Sequence, residues 1–184
     1  KNSWGTNWGD GGYFYVSYYD SVFASVNSTD TYTIILNDST KYDKNYQYDF
    51  VGRTDWLLTN SNSSWYSVQY NSTGNENLKA FSTYFNTTTD YTVYVYVNDV
   101  LKTSQNGSTL PGYYTIKFIN ETSLKTGDIF KIVLNIRTNG SADIPIQENM
   151  SSRTILMPNV SYFSTDNVTW TDLSTYEANF TSHW

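Results

Sequence analysis

Tyr91-Thr92-Val93-Tyr94-Val95-Tyr96-Val97 alternates without a break. In an extended chain Tyr91, Val93, Val95 and Val97 share one face and Thr92, Tyr94 and Tyr96 the other, which is the period of a half-buried β-strand. The stretch 129–136 (IFKIVLNI) repeats the pattern. Phe130, Ile132, Leu134 and Ile136 would point inward, leaving Lys131 and Asn135 outside. Upstream, Tyr114, Ile116 and Phe118 alternate with Thr115 and Lys117. Further strands are expected at 12–19, 32–36, 46–50, 78–85 and 162–170. Turn signals punctuate the series at Asn106-Gly107, Leu110-Pro111-Gly112, Thr126-Gly127-Asp128 and Asn139-Gly140. No run of eleven residues shows clean 3.6 periodicity. Short strands at this spacing predict an all-β, two-sheet sandwich, with a jelly roll as first choice over an immunoglobulin-like order.

Composition agrees. Among 184 residues there are 18 tyrosines and 6 tryptophans, and strand and turn formers outnumber helix formers. There is no cysteine, which excludes a disulfide framework, a thiolate metal site and a cysteine nucleophile within this chain. A net charge of −6 with no basic cluster argues against nucleic acid or an anionic membrane as partner. No apolar run approaches the roughly 20 residues of a membrane span, and Lys1-Asn2-Ser3-Trp4 does not open a signal peptide.

Composition shifts near Ser25. Glycines and tryptophans crowd before it (Trp4, Gly5, Trp8, Gly9, Gly11, Gly12), and polar Asn27-Ser28-Thr29-Asp30 follows. This places a domain boundary between residues 26 and 27.

Residues 1–19, KNSWGTNWGDGGYFYVSYY, closely resemble the segment near the C-terminus of papain-like cysteine peptidases. The resemblance implies that Asn2 would orient a catalytic histidine and that Trp4 would shield that hydrogen bond from water. The cysteine and histidine would lie upstream. The one histidine present, His183, has no thiol to activate. A chain opening inside this motif reads as a processed or excised piece. Residues 1–26 are then a remnant strand or hairpin whose sheet partners belong to the upstream papain-like domain.

The remainder resembles the lectin-like domain that follows the peptidase domain in some prokaryotic cell-surface cysteine proteases. The resemblance is carried by Tyr46-Gln47-Tyr48-Asp49 with Gly52, residues 77–85, residues 91–96, Pro111-Gly112-Tyr113-Tyr114, Leu124-Lys125-Thr126-Gly127-Asp128, Ile144-Pro145-Ile146 and Trp170-Thr171-Asp172-Leu173. Gln147 stands where that pattern has an acid. The resemblance implies an extracellular jelly-roll module, sometimes with structural calcium, on an adhesin-like or peptidase protein of the cell surface. Its partners would be cell-wall or surface glycans or surface proteins, and the chain itself would not be an enzyme.

Sugar binding needs aromatic faces bordered by polar groups. The stretch 56–70 (WLLTNSNSSWYSVQY) offers Trp56, Trp65, Tyr66 and Tyr70 as a candidate ligand loop, and the alternative is that these rings pack in the core. Asp43, Asn45, Gln47 and Asp49 fall at every second position and would form one oxygen-rich face suited to calcium. A solvated strand face gives the same pattern, and the glycine and terminal glutamate of an EF-hand are absent. The carboxylates Asp166 with Asp172, or Glu76 with Asp90, carry no supporting glycosidase motif. Finally, twelve Asn-X-Ser/Thr acceptors begin at Asn27, Asn37, Asn62, Asn71, Asn86, Asn106, Asn120, Asn139, Asn149, Asn159, Asn167 and Asn179. Random placement gives about five, so the excess points either to N-glycosylation at a surface or to Asn and Ser/Thr clustering in turns.

Overall fold

The computed structural model describes residues 3–23, 42–48, 52–147 and 157–177. The chain divides into two compact units, Lys1–Lys44 and Asn45–Trp184. The boundary expected after residue 26 lies outside the described residues.

In the first unit, residues 3–23 form turns rather than the strand expected at 12–19. Gly9, Gly11 and Gly12 all take positive φ, and a side chain at Gly9 would run into the Tyr13 carbonyl oxygen. The chain therefore folds back tightly, and Asp10 and Tyr13 make one isolated antiparallel bridge with N–H···O contacts of 2.9 and 3.0 Å. A hydrogen-bond ladder needs a neighbouring strand, and none is present among the described residues of this unit. Edge-to-face rings hold the turns instead, running Trp4–Trp8 (5.2 Å), Trp8–Phe14 (5.9 Å) and Phe14–Phe23 (5.7 Å). The Asp20 carboxylate accepts the N–H groups of Phe23 and Val22, which hold its pKa below the usual carboxylate range.

The second unit is an antiparallel sandwich. Its strands are β1 (Asp55–Leu57), β2 (Ser63–Asn71), β3 (Glu76–Phe85), β4 (Thr89–Val97), β5 (Val100–Thr109), β6 (Gly112–Leu124), β7 (Ile129–Arg137), β8 (Ile144–Ile146), β9 (Ser161–Ser164) and β10 (Thr171–Asp172), followed by one short helix, α1 (Leu173–Glu177). One layer is a six-stranded sheet in the order β10-β9-β2-β7-β4-β5. Against it lies the pair β3-β6, and β1 pairs with β8. The chain changes layer at β2 to β3, β3 to β4, β5 to β6 and β6 to β7, so most neighbours in the large sheet are distant in sequence, as in Greek-key and jelly-roll sandwiches.

The alternation read from the sequence builds the core. Val93 and Val95 of β4 are fully buried and stand opposite Leu134 and Ile132 of β7, and Tyr91 stands opposite Ile136. From the other layer Phe81 and Phe85 of β3 and Phe118 of β6 close over them. Each such apolar side chain contributes about 1.5–3 kcal/mol by leaving water. At one end Phe130 is enclosed by Tyr46 (4.9 Å) and Tyr70 (5.5 Å).

Three local expectations are corrected. Residues 63–70 are not a loop but most of β2, an interior strand between β7 and β9. The small Ser64 on its core face and the large Trp65 on its outer face hide the alternation that Tyr66, Val68 and Tyr70 carry. Asn106-Gly107 is not a turn but lies within β5, where Gly107 faces Tyr91. The β4–β5 turn is instead Asn98-Asp99, both at positive φ (50° and 63°). The segment expected as one strand over 162–170 ends at Ser164, where Asp166 gathers the N–H groups of Val168 and Thr169, each at 2.8 Å, into a turn.

Candidate functional site

With the valines of β4 turned inward, its other face turns out, and register carries that outer face across the large sheet. Tyr94 lies opposite Val133 of β7, Val133 opposite Ser67 of β2, and Ser67 opposite Tyr162 of β9. One row along, Thr92 lies opposite Asn135, and Asn135 opposite Trp65. On the other side Tyr96 lies opposite Lys131. The result is a cleft of about 500 Å³, walled by Trp65, Tyr94, Tyr96, Tyr162 and Trp170, with Ser67 and Val133 lining it and Asp99, Lys131 and Asn167 as its remaining polar groups. That volume falls within the roughly 300–1,000 Å³ of small-ligand clefts. All five rings are half-buried. The Trp65 and Tyr94 rings lie 6.0 Å apart at 21°, nearly parallel, leaning together over the β7 strand between them.

Each wall is fixed from below. Asn135, buried in mid-sheet, donates to the Ser63 hydroxyl (3.0 Å) and the Ser64 carbonyl (3.2 Å) and accepts from Arg137, whose guanidinium also reaches Thr92. The loop carrying Asn167 and leading to Trp170 is tied by Asp166, which accepts from Thr169, Val168 and the Ser164 hydroxyl. Those donors, the Thr169 N–H first, lower the Asp166 pKa to about 2. Burial raises the Tyr162 phenol above its usual pKa, and the charge of Asp172 adds to the effect. Lys131 and Asp99 form an ion pair at 3.5 Å at the cleft's polar end.

The four aromatic residues singled out in the sequence are not brought together. Trp65 faces the cleft. Tyr66, its neighbour on β2, points the opposite way into the core, where its hydroxyl bonds Thr83 (2.9 Å) and burial raises its pKa. Tyr70 stacks on Tyr48 (4.8 Å) and packs beside Phe130. Trp56, on β1, carries the Arg53 guanidinium 4.7 Å over its ring, and the same guanidinium lies 5.7 Å from the ring of Tyr84 on β3. The cleft's other rings, Tyr94, Tyr96, Tyr162 and Trp170, lie outside that stretch. The signal for two of them was present, since a strand that buries its valines must expose Tyr94 and Tyr96.

Of the oxygen-rich set, Asp49 lies outside the described residues, Asp43 is exposed in the first unit, and the Asn45 amide donates to Gln47 (2.9 Å). No cluster of three His, Cys, Asp or Glu side chains occurs among the described residues. Asn2 and His183 also lie outside them, and Trp4 is 72% exposed. Asp166 and Asp172 are engaged by backbone N–H groups, and Glu76 by the hydroxyls of Ser72 and Tyr46. The cleft is lined by one carboxylate, Asp99, whereas glycoside hydrolysis ordinarily uses two. The arrangement is suited to holding a ligand through ring faces and hydrogen bonds. No described helix is long and apolar enough to cross a membrane.

Residues 45–182 match the family model described as a lectin-like domain. No curated protein matches. Among solved structures, a clostridial cysteine protease, Cwp84, after propeptide cleavage, is similar in fold, with a TM-score of 0.56 at 18% identity over 74% of this chain. The match spans 37% of that protease chain.

Proposed function

The chain belongs to the lectin-like domain family, and from that premise we propose that its second unit is a non-catalytic, glycan-binding accessory module of a surface cysteine peptidase or adhesin-like protein. The observation that supports this is the outer-face cleft, in which five half-buried aromatic rings surround a small set of polar side chains. Pyranose rings present C–H groups on one side and hydroxyls at their rim, so aromatic faces bordered by donors and acceptors suit them. The absence of cysteine makes this chain a part other than the one bearing a cysteine-protease nucleophile. In this reading a papain-like domain upstream supplies cysteine and histidine, and Asn2 and Trp4 complete its site.

An extracellular, cell-surface location and N-glycosylation belong to the same proposal. Seven described sequon asparagines away from the cleft, Asn62, Asn71, Asn86, Asn106, Asn120, Asn139 and Asn159, are exposed, as an acceptor must be, whereas Asn167 lines the cleft and is kept for the ligand in this reading.

A glycan array of wall and surface oligosaccharides, followed by titration of the best hit, tests the assignment. Trp65→Ala and Tyr94→Ala should each weaken binding by about tenfold or more with the fold intact, since each removes a ring face. A blank array would refute it and leave the module as a spacer, and full affinity in both variants would show that the glycan binds elsewhere than this cleft.

A further inference from the structure

The cleft has two unlike ends, and the polar one is built on a hairpin turn. Val97 pairs with Val100, so the β4–β5 hairpin closes through two residues, Asn98 and Asp99, at φ 50° and 63°. Two-residue turns with both φ positive favour Asn followed by Gly, because a side chain in the left-handed region crowds its own backbone. Asn98 has a structural task, donating to Asp128 (2.9 Å) and accepting the Ile129 N–H (3.0 Å). Asp99 occupies the glycine position. Its side chain is 92% exposed, and its carboxylate lies 3.5 Å from the Lys131 ammonium. Aspartate tolerates this region better than most side chains, though less well than glycine, and here it places a carboxylate beside the cleft.

We infer that the Lys131–Asp99 pair reads a vicinal diol of a neutral glycan whose ring stacks in the aromatic cleft, and so determines its specificity. The inference rests on the glycan-binding reading above. An ammonium donor beside a carboxylate acceptor can engage two hydroxyls on adjacent ring carbons, one accepting and the other donating. Lys131 stands directly opposite Tyr96, so the polar pair adjoins an aromatic ring rather than lying apart from it. The pair carries no net charge and the chain carries −6, so a polyanionic glycan would meet repulsion with no compensating basic patch. The specificity is therefore for uncharged pyranoses with adjacent free hydroxyls, not for uronates.

The test measures binding of cellohexaose, mannohexaose and hexagalacturonate to the full chain by calorimetry, with thermal melting alongside. Asp99→Gly should move stability and affinity in opposite directions, melting higher because the turn is relieved yet binding the preferred neutral hexamer about tenfold more weakly. Lys131→Gln should lose a similar factor without melting lower, and hexagalacturonate should bind at least tenfold more weakly than the neutral hexamer. If both variants bind the neutral hexamer within twofold of the parent while Trp65→Ala loses it, the diol assignment is wrong and the glycan site stands. Tighter binding of hexagalacturonate also overturns the assignment. If the parent binds none of the three, the diol assignment falls, while a hit on the glycan array would still uphold the glycan reading and a blank array would end both.

Discussion

Replacing Gly107 with alanine should destabilise the second unit, although alanine is ordinarily the better residue in regular structure. Gly107 lies in β5 directly opposite Tyr91, and the Tyr91 ring covers it. A Cβ there would sit 2.6 Å from Tyr91 Cζ and 2.8 Å from Cε1, with Oη closer still. The ring cannot easily retreat. Tyr91 is 5% exposed and wedged between Phe81 (6.2 Å between centroids) and Phe85 (5.8 Å). Overpacking of this kind costs about 1–3 kcal/mol, against a gain of about 0.5–1 kcal/mol from removing a strand glycine. The net loss is on the order of 1–2 kcal/mol, or about 2–8 °C in Tm for a domain of this size. Thermal or urea denaturation of Gly107→Ala beside Gly140→Ala measures it, since a Cβ on Gly140 meets nothing within 4 Å and that variant should stay within about 0.5 kcal/mol of the parent. In a Tyr91→Leu background the Gly107→Ala penalty should shrink, because the colliding atoms are gone. A Gly107→Ala protein that melts at or above the parent would refute the packing argument.

Tyr66→Phe deletes the hydroxyl that bonds Thr83 inside the core, so it should cost about 1 kcal/mol in denaturant melts while leaving glycan titrations unchanged, because the residue faces away from the cleft. The Asp166 carboxyl is depressed in the folded chain from the ordinary 3.8 to about 2. Its contribution to holding the Ser164–Thr169 loop is therefore present above pH 4 and lost as pH falls toward 2. The amide resonances of Val168 and Thr169 should titrate with a midpoint near 2. A midpoint at or above 3.8 would show that the turn does not hold the charge.

The sandwich was legible because β4 and β7 sit in mid-sheet, where burying one face writes an unbroken alternation of Val, Ile and Leu. β2 is equally interior yet its sequence reads as a loop. Ser64 occupies a core-facing position where a large side chain would be expected and satisfies its hydroxyl on Thr59 (2.9 Å), while Trp65 puts a large ring on the outer face. Asn106-Gly107 looks like a turn by local chemistry, yet the glycine answers to a ring on the next strand, a constraint no local window contains. The candidate site failed in a similar way. Trp65 and Tyr66 are adjacent in sequence and therefore point to opposite faces of one strand, whereas Trp65 and Tyr162 reach the same cleft from neighbouring strands far apart in the chain. Listing nearby aromatics gathers residues that a strand separates. Following the parity of one strand through the register recovers those that meet.

Between Lys117 and Thr122, β6 carries surplus residues against Lys79 of β3, and the Gln105 side chain bonds the Lys117 carbonyl (3.2 Å) and the Ile119 N–H (2.8 Å) within that bulge. A strand from another molecule seeking to extend this layer would find the backbone rhythm interrupted halfway and two of its hydrogen-bonding groups already taken. The module is in this way guarded against fibril-like stacking along this edge.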